Sequence, residues 1–156
     1  MNILITGITG FIGGHLCQRL IDEQGHNIVA LVRPQTEKKR YERFVERVEI
    51  LEIDLTDEAA IHQVFQQHQF DYVFHIAAMR GGRTAIKEEF DRSNIAAPVF
   101  LASAALKHHT TFVYCSSVGV FGTIPTQLPP NENTPKIGDN YYHFTKIEAE
   151  QHLLAL

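Results

Sequence analysis

Two kinds of pattern alternate along the chain. Short apolar runs occupy about 2–6, 27–32, 48–53, 71–77 and 110–116, and stretches of helical period fill about 11–24, 57–68, 86–107 and 140–155. Ile28-Val29-Ala30-Leu31-Val32 and Tyr72-Val73-Phe74-His75-Ile76-Ala77 lack the in–out alternation of a half-exposed strand. They read as strands covered on both faces, as in a parallel sheet. Regular alternation of strand and helix predicts an α/β fold with helices on both faces of that sheet. Asp57, after Leu55-Thr56, is placed to cap the second helix. The polar segment 33–45 reads as a surface connection with one short helical turn. The segment 122–139 carries Pro125, Pro129, Pro130 and Pro135 and reads as a long loop, of the kind that is functional or disordered.

Composition narrows this picture a little. A chain of 156 residues fits one domain, here 1–156, and can bury about 70% of its unfolded surface. A net charge of −4 gives no reason to expect nucleic acid or an anionic membrane as partner. No apolar run is long enough to span a bilayer. Met1 leads directly into a strand without a basic leader and cleavage site, so a cytoplasmic protein is expected. Cys17 and Cys115 read as small core residues rather than as a disulfide. None of the nine histidines has zinc-ligand spacing with cysteine or acid, so no metal is expected.

The first candidate chemistry lies in Thr6-Gly7-Ile8-Thr9-Gly10-Phe11-Ile12-Gly13, between the first apolar run and the first helical pattern. A strand, a glycine turn and a helix in this order suit a dinucleotide pyrophosphate. One glycine makes the turn, one lets backbone approach the phosphates, and one lets helix pack on strand. The helix start then offers free N–H groups and a positive dipole end to the anion. A Rossmann-type, doubly wound parallel sheet follows, with strand order 3-2-1-4-5 expected. About 20 residues past the last glycine such folds place an acid for the ribose of NAD, or an arginine for the 2′-phosphate of NADP. Arg33 stands there, with Lys38, Lys39 and Arg40 behind it and no acid before Glu37. This favours NADP over NAD; the other reading is a solvated basic loop. Asp54, at the end of the third strand, either accepts from the adenine amino group or simply starts a helix.

The second candidate lies further on. Tyr114-Cys115-Ser116-Ser117 ends the fifth strand, and Tyr142-His143-Phe144-Thr145-Lys146 opens the last helix. Tyr142 and Lys146 are four apart and share a helix face. A phenol near pKa ~10 is a poor base at neutral pH, and a cation one turn away favours its phenolate. A serine hydroxyl at the carboxyl end of a strand lies where open α/β sheets bind ligands. The set suits proton exchange with a carbinol while hydride moves to or from nicotinamide.

With these motifs in this order, the chain resembles the extended short-chain dehydrogenase/reductases, the NAD(P)-dependent epimerase/dehydratase group. The likeness runs over the whole chain. The glycine run resembles that family's cofactor loop, which implies cofactor contacts for Gly7, Thr9, Gly10, Phe11, Ile12 and Gly13. Asp54-Leu55 resembles its adenine contact, and His75-Ile76-Ala77-Ala78 its fourth-strand motif beside the cofactor ribose, implicating Ala77 and Ala78. Asn94-Ile95-Ala96-Ala97 resembles the family's asparagine at the long central helix, and Asn94 joins the catalytic set on that basis. Ser117-Val118-Gly119-Val120-Phe121-Gly122 matches a Ser-x-x-x-(Tyr/Phe)-Gly run and selects Ser117 over Ser116. The resemblance implies that Tyr142 is the acid/base, that Lys146 holds the nicotinamide ribose and lowers the Tyr142 pKa, and that Ser117 orients the substrate. Glu132 falls in a loop where family members often carry a glutamate. A small-molecule substrate of the nucleotide-sugar kind and a homodimer through helices 86–107 and 140–155 are implied as well.

Two features leave rivals standing. The last helix keeps its spacing to Leu156 with no sixth strand or substrate region after it, as expected of an N-terminal portion or a shortened form. A non-catalytic dinucleotide-binding module, or an inactive fragment, is therefore the alternative to an enzyme. Met79-Arg80-Gly81-Gly82-Arg83 reads either as an anion-meeting loop or as a solvated turn.

Overall fold

The computed structural model describes residues 1–81 and 86–156. Gly82 and Arg83 of the arginine loop lie outside the described residues. The chain divides into two compact units, residues 1–78 with 100–115, and residues 79–99 with 116–156.

The first unit is a five-stranded parallel sheet. Its strands are β1 (Asn2–Thr6), β2 (Asn27–Val32), β3 (Glu49–Glu52), β4 (Tyr72–His75) and β5 (Thr111–Tyr114). They lie in the order β3-β2-β1-β4-β5, as the βα alternation predicts. Side chains alternate across a strand, and the core shows why the central strands read as unbroken apolar runs. Ile3 and Ile5 of β1, with Ala30 and Val32 of β2, pack on one face with Cys17 and Leu20 of α1 (Phe11–Glu23). Leu4, Val29 and Leu31 pack on the other face with Ile61, Val64 and Phe65 of α2 (Glu58–Gln67), and with Leu101 and Ala104. Asp57 caps α2 as expected, its carboxylate accepting the Ala60 N–H at 3.0 Å.

The segment 33–45 departs from the expectation of a surface connection with one helical turn. It forms two 3-10 turns, Lys38–Arg40 and Glu42–Phe44, and sends Tyr41 and Phe44 into the core. Cys17 is buried as expected, and burial pushes its thiol up to about 11 against the opposing pull of Arg43. Cys115 is only half-buried, at the end of β5.

The second unit contains α3 (Lys87–Asp91), a π-helical turn at Arg92–Ala96, a 3-10 turn at Val118–Phe121, and α5 (Tyr141–Leu154). The helix α4 (Ala97–Lys107) completes the helical stretch and continues into the first unit. A single helix over 86–107 was expected; the π-turn divides it. Pro98 supplies the physical reason. Its ring would collide with the carbonyl of residue 94 in a regular α-helix, and its missing N–H cannot bond there. A wider turn just before it accommodates both effects. The segment 122–139 carries no helix or strand, as expected of a long loop. Among the described residues no helix is long and apolar enough to cross a membrane.

Candidate functional site

In the first unit the glycine turn is built by close approach. Gly7 has φ +80°, and a Cβ there would lie 2.7 Å from the backbone N of Ala77. A Cβ on Gly13 would overlap the Gly7 carbonyl oxygen and lie 2.6 Å from its carbon. Gly10 differs: a Cβ would stand 3.4 Å from the Gly7 oxygen, an ordinary contact, and the residue is exposed. Gly7 and Gly13 are therefore required by the chain's own packing. Gly10 is not required by that packing. Gly10 also starts α1 without a capping side chain, and the first turn holds no acid. The amide groups at the head of α1 thus have no capping side chain. Phe11 and Ile12 beside them are exposed, at 80% and 57%.

Thr6 anchors the neighbouring strand end. Its hydroxyl oxygen accepts the N–H groups of Ile76 (3.2 Å) and Ala77 (3.1 Å) and lies 2.9 Å from Nδ1 of buried His75. An oxygen accepting twice has its own proton to give, so Thr6 donates to Nδ1 and His75 carries its proton on Nε2. This hydroxyl extends the β1–β4 ladder and ties the end of β4, where it leads into Ala77-Ala78, to the start of the glycine turn.

Arg33 immediately follows β2, exposed, with no ion pair among the described residues. The basic segment behind it is not simply solvated. The Arg40 guanidinium donates to the Thr9 carbonyl of the glycine turn at 3.3 Å. Arg43 lies over the Phe44 ring at 4.5 Å and fills the space beside Gly14. Sequence reasoning missed both contacts; the Tyr41-x-x-Phe44 spacing was the available signal. Asp54 builds a turn, its Oδ1 accepting the N–H and hydroxyl of Thr56 at 2.9 Å each, and Leu55 packs half-buried on the core.

In the second unit, Ser117 opens the 3-10 turn Val118–Phe121, and its Oγ accepts the Gly119 N–H at 3.1 Å. The hydroxyl proton remains to be donated. Ser116, its neighbour, is committed instead to Glu150, which also takes the Lys136 ammonium. Asn140 caps α5, accepting the His143 N–H at 2.9 Å. Tyr142 follows half-buried, and Lys146, one turn on, is 1% exposed. Asn94 is buried on the π-turn. It accepts the Met79 N–H and donates to the Met79 carbonyl, both at 2.8 Å, and donates to Thr145 Oγ1 at 3.1 Å. Thr145 in turn donates to the Tyr142 carbonyl at 2.8 Å. Asn94 thus spends its amide on holding the turn that carries Tyr142 and Lys146. Tyr141, which the sequence sets aside for want of a lysine, donates to Asp91 at 2.7 Å under the Lys87 ammonium. That carboxylate, with burial second, pushes its phenol up to about 12. Glu132 is exposed in the loop.

The profile of the NAD dependent epimerase/dehydratase family matches residues 3–156. The chain belongs to this family. A UDP-glucose 4-epimerase of Caenorhabditis elegans is 31% identical over 99% of the chain and 49% of that protein. The structure of UDP-glucose 4-epimerase from Thermotoga maritima with UDP-glucose superposes with a TM-score of 0.86 at 25% identity, covering 99% of the chain and 50% of its counterpart. That of the UDP-glucose 4-epimerase from Stenotrophomonas maltophila, with NAD and formylated UDP-arabinopyranose, gives 0.84 at 28%, covering 99% and 48%. The chain therefore spans about half the length of these relatives, and its sheet is that of their Rossmann portions.

Proposed function

We propose that the chain binds a nicotinamide adenine dinucleotide and serves the oxidation and reduction of a nucleotide-sugar carbinol, with Tyr142 as acid/base. The residues fit the dinucleotide. The head of α1 has no capping side chain, and Gly10 leaves open the side on which a Cβ would meet an approaching phosphate. Gly7, Thr9, Gly10, Phe11, Ile12 and Gly13 would hold the pyrophosphate, with Asp54, Leu55, Ala77 and Ala78 along the adenosine and ribose. When bound, the dinucleotide supplies a hydride acceptor or donor.

The observation that carries the catalytic reading is the buried Lys146 one turn after Tyr142. From there Lys146 would hold the nicotinamide ribose, and Tyr142 Oη would take the carbinol proton and return it. Ser117 donates its free hydroxyl proton to the substrate oxygen, and Asn94 positions the turn through Thr145. Replacing Tyr142 by Phe removes the proton acceptor and keeps the ring. Because the hydride taken by NAD(P)+ is returned and no reduced cofactor accumulates, turnover is read as conversion of UDP-glucose to its 4-epimer by chromatography; it is expected to fall by about 10²–10⁴-fold, and unchanged turnover overturns the role of Tyr142.

Of the two dinucleotides, the unpaired exposed guanidinium of Arg33 favours the 2′-phosphate of NADP, although a relative carries NAD. Comparing the affinities for NADPH and NADH tests this, and Arg33→Ala is expected to abolish any preference. A homodimer and a cytoplasmic protein belong to the same reading; sedimentation of the purified chain tests the first, and fractionation the second.

A further inference from the structure

Asp139 and His143 bracket the start of α5, and their bonds reach further than a helix cap requires. His143 Nδ1 lies 2.6 Å from Asp139 Oδ1. The other carboxylate oxygen accepts the Thr123 N–H at 2.7 Å and the Thr123 hydroxyl. These bonds, the Thr123 hydroxyl foremost and His143 next, hold the Asp139 carboxyl down at about 2. At neutral pH Asp139 can only accept, so His143 Nδ1 carries a proton. The ring is thereby fixed, and its opposite edge is turned on Gly119.

Gly119 sits inside the 3-10 turn that Ser117 opens. Its φ is not positive, so the backbone there does not call for glycine. The need comes from His143. A Cβ at 119 would overlap Nε2 and lie 2.5 Å from Cδ2 and 2.7 Å from Cε1. The imidazole occupies the place where a side chain at 119 would begin. The same ring is 5.8 Å from the Tyr142 ring, centre to centre. One side chain, clamped by Asp139, thus touches the Ser117 turn and neighbours the Tyr142 ring.

We propose that His143 is a positioning residue: held by Asp139 and seated on Gly119, it sets the register between the Ser117 turn and the turn of α5 that carries Tyr142. This rests on the reading that Ser117 and Tyr142 serve one reaction. It also explains Gly119 as half of a size-matched pair. Any larger residue at 119 must expel the ring, and expelling the ring breaks its bond to Asp139.

The test is a double-mutant cycle on the full chain with Gly119→Ala, His143→Asn and the pair together. Asn is shorter, vacates the seat, and keeps an N–H for Asp139. Two readouts are taken: Tm, and kcat and KM for conversion of UDP-glucose to its 4-epimer in the presence of NAD(P)+. Gly119→Ala alone is expected to lower kcat by on the order of tenfold, with KM changed less. In the pair, kcat is expected to recover to about that of His143→Asn alone, and the Tm effects are expected to be non-additive. Additive Tm changes overturn the seat, whatever the turnover. Non-additive Tm with the same kcat in all four proteins overturns the positioning role. Absence of epimerisation by the unaltered chain overturns the functional reading and this role with it, and leaves the seat to stand or fall on Tm.

Discussion

Gly13→Ala and Gly10→Ala separate what the fold needs from what a ligand needs. A Cβ on Gly13 would overlap the Gly7 oxygen and sit 2.6 Å from the Gly7 carbonyl carbon. Carbon atoms rest comfortably about 3.5–4.0 Å apart, so the turn or the helix must retreat by roughly 1 Å. The colliding atoms are backbone, pinned on one side by the β1 ladder and on the other by Ala77, so the retreat is expensive. Overpacking of this kind costs about 1–3 kcal/mol, which for a chain of this size lowers Tm by about 2–4 °C per kcal/mol. A shift of about 1 Å also spoils the amide–phosphate hydrogen bonds at the head of α1, worth about 1.5–3 kcal/mol each to a charged group. Loss of one weakens NAD(P)H binding by roughly 10- to 100-fold. At Gly10 the Cβ would stand 3.4 Å from its nearest neighbour. Gly10→Ala is therefore expected to leave Tm unchanged within about 1 °C and still weaken binding. Thermal melts and fluorescence titrations on both variants make the comparison. If Gly13→Ala melts and binds like the unaltered chain, or if Gly10→Ala costs the fold as much as Gly13→Ala, the packing argument is wrong.

Three further outcomes follow from the same geometry. Phe44→Ala empties a fully buried site; it is expected to cost about 3–5 kcal/mol and on the order of 10 °C in Tm, whereas a surface role for segment 33–45 predicts almost no change. Asp139, held at about 2 against an ordinary 3.8, stabilises the fold fully above the ordinary value and loses that contribution as pH falls toward 2; melts of Asp139→Asn between pH 5 and about 2 are expected to show a shallower acid decline. Tyr141, raised to about 12, contributes in the opposite sense: its stabilisation is complete below about pH 10 and disappears as pH rises through 12, and Tyr141→Phe is expected to flatten that alkaline decline.

The sheet was legible because strands buried on both faces must be apolar throughout, and the Ile3/Leu4/Ile5 split between two core clusters is that rule seen in space. The glycine turn was legible because steric need leaves no other residue at Gly7 and Gly13. The segment 33–45 was misread for a physical reason. Its two 3-10 turns are too short to show a period, and Tyr41 and Phe44 are diluted among charged neighbours that stay outside. Pro98 carried the signal for the π-turn, yet a proline near a helix start is ordinarily harmless, and only the helix continuing before it makes it consequential. In the candidate site, Ser117, Tyr142 and Lys146 were readable as residue types at fixed spacing. Their supports were not. Asn94 with Thr145, Tyr141 with Asp91, and Asp139 with Thr123 are pairings between distant parts of the chain that no local pattern announces; only Asp139 with His143, four residues apart, had local spacing to show it.

The most direct measurement is a titration of the purified chain with NADPH and with NADH, followed by nicotinamide fluorescence. Saturable binding of either, lost in Gly13→Ala and stronger for NADPH by a margin that Arg33→Ala removes, is the expected result. Binding of neither by a folded chain would contradict the dinucleotide site at the head of α1.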